Sequence, residues 1–261
     1  MENVRFIIPS YNRKHLIGDK TLALLKSYEV PTEHIEIVVE TEEMKNEYIE
    51  EIGNDYKILV SNTDGIKEKR NWVRRYYQEE TDYEYLVSLD DDLSDMNNMG
   101  TSLKAEEFKE LVEEGFNECE KRGLYLWGVV GFDNKFFMKE TVTTTLKTII
   151  GCFTGLILDR EKVPLVTLFN HYEDQCFTCQ HFLRDGGVLR YNNISISTKY
   201  FNPDGGITGW FGGKEKRKQD QENGAVLMLL KYGKMCRAIK KKRKDIGEGW
   251  DIRLNHNFKI K

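Results

Sequence analysis

The chain has 261 residues, of which 39% are hydrophobic and 31% are charged, and this composition is typical of an ordinary globular protein. No apolar run approaches membrane-spanning length and the N-terminal segment lacks the pattern of a signal peptide, so we expect a cytoplasmic protein without membrane insertion. The five cysteines are irregularly spaced, which favours reduced thiols over a disulfide framework.

The net charge of −4 hides a strong asymmetry along the chain. Residues 214–261 contain 15 Lys/Arg and 6 Asp/Glu, a balance of +9, whereas the remaining residues contain 24 against 37, a balance of −13. Eight basic residues and no acidic residue lie in the run from Lys231 to Lys244. Such a run is either a solvated helix face or a surface for a polyanion such as nucleic acid.

The first half of the chain alternates between strand and helix patterns. Short apolar runs predict four strands, at 4–9, 34–40, 56–61 and 83–92. Segments with apolar residues at helical spacing separate them, at 16–28, 42–53 and 67–80. This alternation predicts parallel strands joined by crossover helices, in an α/β sheet that is covered on both faces.

The second half is less regular and ends in a basic extension. The patterns predict helices and strands in the order helix 105–123, strand 124–132, strand 148–159, helix 172–187 and strand 188–198. They are followed by a glycine-rich loop at 202–216, a mostly helical basic stretch to about residue 244 and a terminal strand at 250–260. We expect a catalytic domain at 1–200 and an extension at 201–261 that packs on the same domain.

Polar motifs follow each of the four predicted N-terminal strands, at the edge where a parallel α/β sheet binds its ligand. They are PSYNR at 9–13, Glu40, SNTDGIKEKRN at 61–71 and three aspartates at 90–92. Adjacent carboxylates repel one another unless a cation lies among them, and Mg²⁺ or Mn²⁺ prefers carboxylate oxygens. Asp90 and Asp92 point to the same side if the strand geometry continues, and an acidic turn that caps a helix is the alternative.

These motifs resemble those of the GT-A glycosyltransferases, in particular the inverting enzymes similar to family 2. That family has a P-x-Y-N/K-R opening, a nucleotide-contacting N-x-G-x-x-x-x-R-N segment, a D-x-D motif after a hydrophobic strand and an E-D pair at a helix start. The matching positions here, in roughly residues 4–200, are Pro9, Ser10, Tyr11, Asn12 and Arg13, then Asn62, Gly65, Arg70 and Asn71, then Asp90 and Asp92, then Glu173 and Asp174.

The resemblance implies a GT-A, Rossmann-like fold with a mixed, mostly parallel sheet flanked by helices. The basic C-terminal helical extension, which the charge pattern predicts, follows this fold. It also implies a nucleotide-sugar donor, which we expect to be UDP-linked, and a Mn²⁺ or Mg²⁺ ion that is held by Asp92. Asp90 is then expected to contact the ion directly, a water of the ion or the ribose. Asp91 is expected among the residues that contact the donor. Tyr11 is then expected to stack on the base, and simple packing is the alternative. Glu40 is expected to accept a hydrogen bond from ribose or uracil, and a charge at the strand end without a ligand is the alternative.

Two further roles follow from the resemblance. Asp174 matches the family's catalytic base with Glu173 as its neighbour, although acids at a helix N-terminus are also favoured by the helix dipole alone. His256 is a candidate third metal ligand, with a purely structural histidine as the alternative.

The opening IIPSYNR and the segment YEDQ…FLRDGGVLRYNNIS also resemble the TET-associated glycosyltransferases, which occur in bacteriophages and modify hydroxymethylated pyrimidines in DNA. DNA is then the expected acceptor, and its expected contacts are Trp210, Lys240, Lys241, Lys242, Arg243 and Lys244. A polysaccharide or protein acceptor, a nucleotidyltransferase and a non-catalytic DNA-binding protein are the alternatives. The sequence does not indicate an oligomeric state.

Overall fold

The computed structural model describes residues 3–198, 210–243 and 247–260. A ten-stranded sheet forms the centre of this part, with strand order β3-β2-β1-β4-β9-β7-β10-β5-β6 and β8 paired to β10. Its strands are β1 (Val4–Pro9), β2 (Ile35–Val39), β3 (Lys57–Val60), β4 (Tyr85–Leu89), β5 (Leu93–Asn98), β6 (Thr101–Ser102), β7 (Leu126–Val130), β8 (Val142–Thr143), β9 (Phe153–Ile157) and β10 (Leu189–Thr198).

The sheet is mixed and mostly parallel, as predicted. Strands β3, β2, β1 and β4 pair in parallel, and so do β7 and β10. Antiparallel pairing of β9 with both β4 and β7 keeps β7 and β10 in the direction of β4. Among the ten described strands, β5, β8 and β9 therefore run against the other seven. The carboxyl ends of β1 to β4 share one edge of the sheet.

The helices lie on both faces of the sheet. They are α1 (Lys14–Ile17), which continues through a π-helical turn (Gly18–Leu22) into α2 (Ala23–Ser27), and α3 (Glu42–Ile52), α4 (Gly65–Glu79), α5 (Ala105–Arg122), α6 (Glu173–Asp185) and α7 (Lys214–Tyr232). None of these helices is long and apolar enough to cross a membrane, within the ranges that the structure describes.

Two hydrophobic cores result from the alternation of side chains along the central strands. Phe6 and Ile8 of β1 pack into one core with residues of α2, α3 and α5, whereas Ile7 packs into the other with α4, α6 and α7. Fully buried Trp127 joins the first core. The second core also contains Cys236 and Ile252 from the C-terminal extension, so the extension packs on the α4–α6 face of the sheet.

The basic extension differs from the predicted helical stretch in one respect. Helix α7 ends at Tyr232, and the chain then forms a two-stranded antiparallel hairpin of β11 (Cys236–Arg243) and β12 (Gly247–Leu254). Buried Cys236, Ile252 and Leu254 pack against the second core, and tertiary burial of this kind overrides local helix propensity. The terminal strand predicted at 250–260 thus begins earlier and ends at Leu254.

Gly155 on β9 provides a test of the first core. A Cβ atom at Gly155 would overlap the indole of Trp127, which is fully buried. We expect Gly155→Ala to lower the free energy of unfolding by about 1–3 kcal/mol, the usual cost of overpacking a core. Urea denaturation measures this change.

Gly18→Ala is the matched control. A Cβ at Gly18 would meet Ile52 Cγ2 at 3.6 Å, an ordinary contact, and its backbone is helical. The free energy of unfolding should stay unchanged or rise by up to about 1 kcal/mol, because alanine restricts the unfolded chain. Equal effects of the two substitutions would contradict the packing described here.

Candidate active site at the carboxyl edge of the sheet

The predicted strand-end motifs meet at one edge of the sheet. The Ser10 amide donates to Val38 O at 2.9 Å, and the Asn62 amide donates to Glu40 O at 3.0 Å, so hydrogen bonds between neighbouring chains continue past the strand ends. Strand β4 ends at Leu89, and the three aspartates form the turn that leads into β5. The resulting edge has polar side chains along its whole length.

Asp91 lies on the inner side of the aspartate turn. Its carboxylate accepts hydrogen bonds from Ser10 Oγ at 2.5 Å and from the Arg13 guanidinium at 2.8 Å, and Ser10 Oγ also lies 2.6 Å from the Tyr48 hydroxyl. Burial raises the pKa of Asp91 to about 6, against the opposing effect of Arg13. Both oxygens of Asp91 are thus hydrogen-bonded inside the protein, and its predicted contact with the donor remains a prediction.

Asp90 and Asp92 leave the turn towards different partners. Asp92 accepts from Arg13 at 3.1 Å and from Thr198 Oγ1 at 2.8 Å, whereas Asp90 accepts from Arg70 at 2.5 Å. The Asp90 side chain is 34% exposed and that of Asp92 is 15% exposed. Burial, and then the neighbouring Asp90, raise the pKa of Asp92. Asp90 is thus the aspartate most open to a ligand.

Arg70 joins the aspartate turn to the start of α6. Besides Asp90, its guanidinium donates to Gly151 O at 3.0 Å and forms an ion pair with Glu173. A side chain at Gly151 would overlap this guanidinium, so the close approach requires glycine. Arg74, one turn further along α4, lies 3.6 Å from the other oxygen of Glu173. Two arginines of one helix therefore neutralise a single buried carboxylate.

Asp174 lies beside Glu173 but has different surroundings. Its carboxylate accepts from the Gln175 amide at 2.7 Å and is also hydrogen-bonded by the backbone of Gly151. Burial raises the pKa of Asp174, and these backbone bonds and Arg70 oppose the rise only in part. A carboxyl group with a raised pKa is suited to accept a proton at neutral pH. The adjacent acids thus differ, because Glu173 is paired with two arginines whereas the pKa of Asp174 is raised by burial.

Glu40, which was predicted to accept a hydrogen bond from ribose or uracil, has partners inside the protein. The carboxylate is buried, accepts from the Gly65 amide at 3.0 Å and lies 3.4 Å from Lys69 Nζ. Lys69 is also fully buried and donates to Ser10 O at 2.6 Å. Burial lowers the pKa of Lys69, although Glu40 opposes the effect. The pair fixes the start of α4 against the end of β1.

Asn71 was also predicted to contact the nucleotide, and the structure gives it an internal role. Its buried amide donates to Thr167 O at 2.9 Å and accepts from the Thr167 amide at 2.8 Å, which attaches the 167 segment to α4. Tyr11, Asn12 and Asn62 remain partly or fully exposed at the open edge, and Lys69 Nζ lies 5.5 Å from the Tyr11 ring. Pro9 is buried as the last residue of β1.

Trp210 lies over the start of α4. Its indole Nε1 donates to Asp64 Oδ1 at 2.5 Å, and a Cβ at Gly65 would come within 2.7 Å of the indole ring. Gly65 has a φ of +81°, which a residue with a side chain rarely adopts. Trp210 therefore borders the segment predicted to contact the nucleotide, and its predicted contact with DNA remains a prediction.

The aspartates can contribute two carboxylates to a divalent ion. No group of three or more His, Cys, Asp or Glu side chains converges on one point within residues 3–198, 210–243 and 247–260. Mg²⁺ is commonly held by one or two carboxylates together with phosphate oxygens and water, so Asp90 and Asp92 match the ligand types of such an ion, and their role as its ligands remains a prediction.

His256 is in a different electrostatic environment from the aspartates. Partial burial and the cations Arg190, Lys147 and Arg253 lower its pKa. Surrounding cations disfavour a metal ion, so the prediction of His256 as a third metal ligand is not supported by its neighbours.

Two members of the predicted DNA-contacting run have partners in the hairpin. Lys240 Nζ lies 5.6 Å above the Trp250 ring, and Lys241 Nζ lies 3.5 Å from Asp251, so one of these two charges is already paired. Lys244 and the side chains of Lys242 and Arg243 lie outside the described residues. Tyr172 donates to Trp250 O at 3.4 Å, so the hairpin lies beside the start of α6 and hence beside Asp174.

Five further residues build this site, and none of them had a role predicted from the sequence. They are Tyr48, Lys69, Arg74, Gly151 and Thr198. Lys69 and Arg74 lie next to or one turn from the predicted Arg70, so helical spacing was an available signal for them. Tyr48, Gly151 and Thr198 belong to segments without any recognisable motif, and only the folded chain brings them to the aspartate turn.

Two solved structures share this architecture. One is a mycobacterial protein, with 9% identity, a TM-score of 0.53 and a match over 96% of this chain and 83% of the other. The second is glucosyl-3-phosphoglycerate synthase from Mycobacterium tuberculosis in complex with Mn²⁺ and uridine-diphosphate-glucose, with 10% identity, a TM-score of 0.52 and a match over 96% and 86% of the two chains. The likeness confirms the predicted GT-A fold class. No protein-family model and no curated protein sequence gives a significant match.

Replacing Arg70 tests the link between the aspartate turn and α6. Arg70→Gln leaves Glu173 buried with only the more distant Arg74, and an uncompensated buried charge typically costs about 3–5 kcal/mol of unfolding free energy. Urea denaturation measures this loss.

Arg75→Gln is the control for this substitution. Arg75 is on the same helix and is exposed, so its replacement should change the free energy of unfolding by no more than about 0.5 kcal/mol. If Arg70→Gln were equally mild, Arg70 would not be the counter-ion that holds Glu173.

Proposed function

We propose that this protein is a divalent-metal-dependent glycosyltransferase that moves a sugar from a UDP-sugar to an acceptor hydroxyl. The observation that carries the proposal is the Arg70 link, which joins an open aspartate at the end of β4 to a potential base at the start of α6. Both groups lie at the ligand-binding edge of a GT-A fold. Donor activation and acceptor deprotonation would then take place side by side.

The donor half of the site would hold the diphosphate through a metal ion. The solved synthase of the same fold was crystallised with Mn²⁺ and uridine-diphosphate-glucose, which supports the choice of ion and donor. Asp90 and Asp92 would hold the ion, which as a Lewis acid stabilises the charge on the departing diphosphate. Tyr11, Asn12 and Asn62 are exposed at the same edge and would contact the nucleoside.

The acceptor half of the site would use Asp174 as the general base. Glu173 is already neutralised by Arg70 and Arg74, so it is a poor proton acceptor, whereas the pKa of Asp174 is raised by burial. Asp174 would accept the proton of the acceptor hydroxyl while the oxygen of that hydroxyl attacks the anomeric carbon of the sugar. Direct attack by the acceptor oxygen, with the UDP group leaving from the opposite side, would invert the configuration at that carbon.

For the acceptor we propose a hydroxymethylated pyrimidine in DNA. Support comes from the resemblance of the segments IIPSYNR and YEDQ to the TET-associated enzymes and from the basic hairpin beside the start of α6. The C5 substituent of a pyrimidine faces the major groove, and the base would rotate out of the stack to reach a cleft. Mass spectrometry of hydroxymethylated and unmodified DNA, incubated with UDP-sugars and Mn²⁺, tests this acceptor against polysaccharide and protein acceptors.

Removing one aspartate tests the metal site. Asp92→Asn should lose most of the Mn²⁺-dependent increase in UDP affinity, because an amide oxygen carries no charge to hold the ion. Calorimetry with UDP in the presence and absence of Mn²⁺ measures this increase. Asp95→Asn on β5, where Asp95 accepts from Ser102, is the control and should retain it. Equal Mn²⁺ dependence in both variants would contradict a metal role for Asp92.

Removing the base tests the acceptor half. Asp174→Asn should reduce transfer by about a hundredfold or more while UDP affinity stays close to that of the wild type. The pKa of Asp174 is raised, so the wild-type rate should fall as the pH is lowered through that pKa, and this acid limb should be absent from the residual rate of the variant. Steady-state rates from pH 4 to 9 give both quantities.

Asp82→Asn, a change in an exposed loop, is the control and should keep the wild-type rate and pH profile. An unchanged acid limb in Asp174→Asn would assign the base to another group.

A further inference from the structure

Two cations converge on one neutral oxygen outside the site described above. Lys147 Nζ donates to Asn192 Oδ1 at 3.0 Å, and Arg190 donates to the same atom from Nε at 3.1 Å and from a terminal nitrogen at 3.0 Å. The amide of Asn192 is buried and is fixed by donation to Thr141 O at 2.8 Å. This arrangement holds an ammonium and a guanidinium close together without a negative charge.

No carboxylate of the described ranges 3–198, 210–243 and 247–260 forms an ion pair with Lys147 or Arg190. Their charged neighbours have the same sign. Burial lowers the pKa of Arg190 to about 10, and burial together with Arg190 and Lys139 lowers the pKa of Lys147. Like charges held together at partly buried positions are unfavourable, and a bound anion would remove the penalty.

We propose that Lys147 and Arg190 form an anion subsite that holds a phosphate group of the acceptor. The proposal rests on the transferase function above. A guanidinium presents a planar pair of N–H donors that matches two phosphate oxygens, and the ammonium adds a third charged donor. A phosphate oxygen is a stronger acceptor than the neutral Asn192 oxygen, so it would replace that contact.

The subsite lies near the candidate base. Arg190 pairs with Gly128, Gly128 with Thr154, and Thr154 with Ser88, so the four residues form one row across the sheet. Directly opposed residues project to the same face, and Thr154 and Ser88 line the cavity that Asp174 also lines. Two strand spacings, about 10 Å in all, separate Arg190 from Thr154.

The loop between β8 and β9 also limits the distance between Lys147 and the candidate base. Lys147 and Gly151 are four residues apart, and four residues span at most about 14 Å. Gly151 lies against Arg70 and is hydrogen-bonded to Asp174. A phosphate on Lys147 and a hydroxyl at Asp174 would thus be separated by a distance comparable with the size of a nucleotide. Two sources fit this chemistry, a phosphodiester of DNA and a free phosphomonoester.

Direct binding tests the subsite without any transfer reaction. Isothermal titration calorimetry with inorganic phosphate and with dimethyl phosphate should show binding to the wild-type protein. Lys147→Gln should weaken it about tenfold or more, the usual effect of losing a charged hydrogen bond. Lys147→Arg should restore it. Absence of phosphate binding by the wild type, or equal affinity in Lys147→Gln, would overturn the proposal.

Two controls exclude effects of net charge and of folding. Lys109→Gln makes the same charge change on α5, where Lys109 pairs with Glu29 at 2.7 Å, and should leave phosphate affinity unchanged. Arg190→Gln should repeat the loss seen with Lys147→Gln, and thermal unfolding establishes that each variant is folded. Loss of affinity in Lys109→Gln as well would show a general effect of net charge and would count against the subsite.

Transfer assays separate the two phosphate sources. The three acceptors are a hydroxymethylated nucleoside, its 5′-monophosphate and a short oligonucleotide. An acceptor that carries phosphate should have a higher kcat/KM than the nucleoside. Lys147→Gln should abolish this difference by raising the KM of the phosphate-bearing acceptor. An advantage of the monophosphate points to a phosphomonoester, and one confined to the oligonucleotide points to DNA. If phosphate binding depends on Lys147 but none of the three acceptors receives a sugar, the anion subsite is supported and the proposed acceptor is rejected. An advantage that survives Lys147→Gln would overturn the subsite.

Discussion

The ion pair between Arg70 and Glu173 is the interaction on which the rest of the site depends. The carboxyl groups at positions 90, 91, 92, 173 and 174 lie around the β4 turn and the start of α6, and they would repel one another without cations among them. Arg70 spans the gap between the β4 turn and the start of α6, while Arg13 neutralises the inner side of the turn. The two arginines therefore make the clustering of acids possible.

Together with Arg74, these two arginines give the acids different surroundings. Arg13 keeps Asp91 inside the protein with Ser10 and Tyr48, and Arg70 and Arg74 hold Glu173 as a counter-ion. Of the other acids, Asp90 is partly exposed, and the pKa of Asp174 is raised by burial. Sequence neighbours with identical charge thus acquire distinct chemistry, because desolvation and counter-ions act on each of them separately.

The C-terminal extension completes the walls around this edge. Trp210 covers the glycine that begins α4, and the β11–β12 hairpin contacts the start of α6 through the hydrogen bond between Tyr172 and Trp250. Packing of the hairpin against the second core explains why the basic run is found in a strand. The extension therefore contributes to both the donor side and the base side of the proposed transferase.

The order of strands, helices and strand-end motifs was predictable from the sequence, because each motif directly follows its own strand and parallel strands bring these ends to one edge. The α/β fold class followed from that order, and the roles predicted for Arg70, Asp90, Asp92 and Asp174 came from the resemblance of the motifs and remain predictions. Only the tertiary structure decided that Asp91, Glu40 and Asn71 turn inward and that the lysine run joins a hairpin. The reason is physical: the partners of a side chain, such as Ser10 for Asp91, are distant in the sequence, and burial and charge pairing depend on the folded neighbours rather than on local spacing.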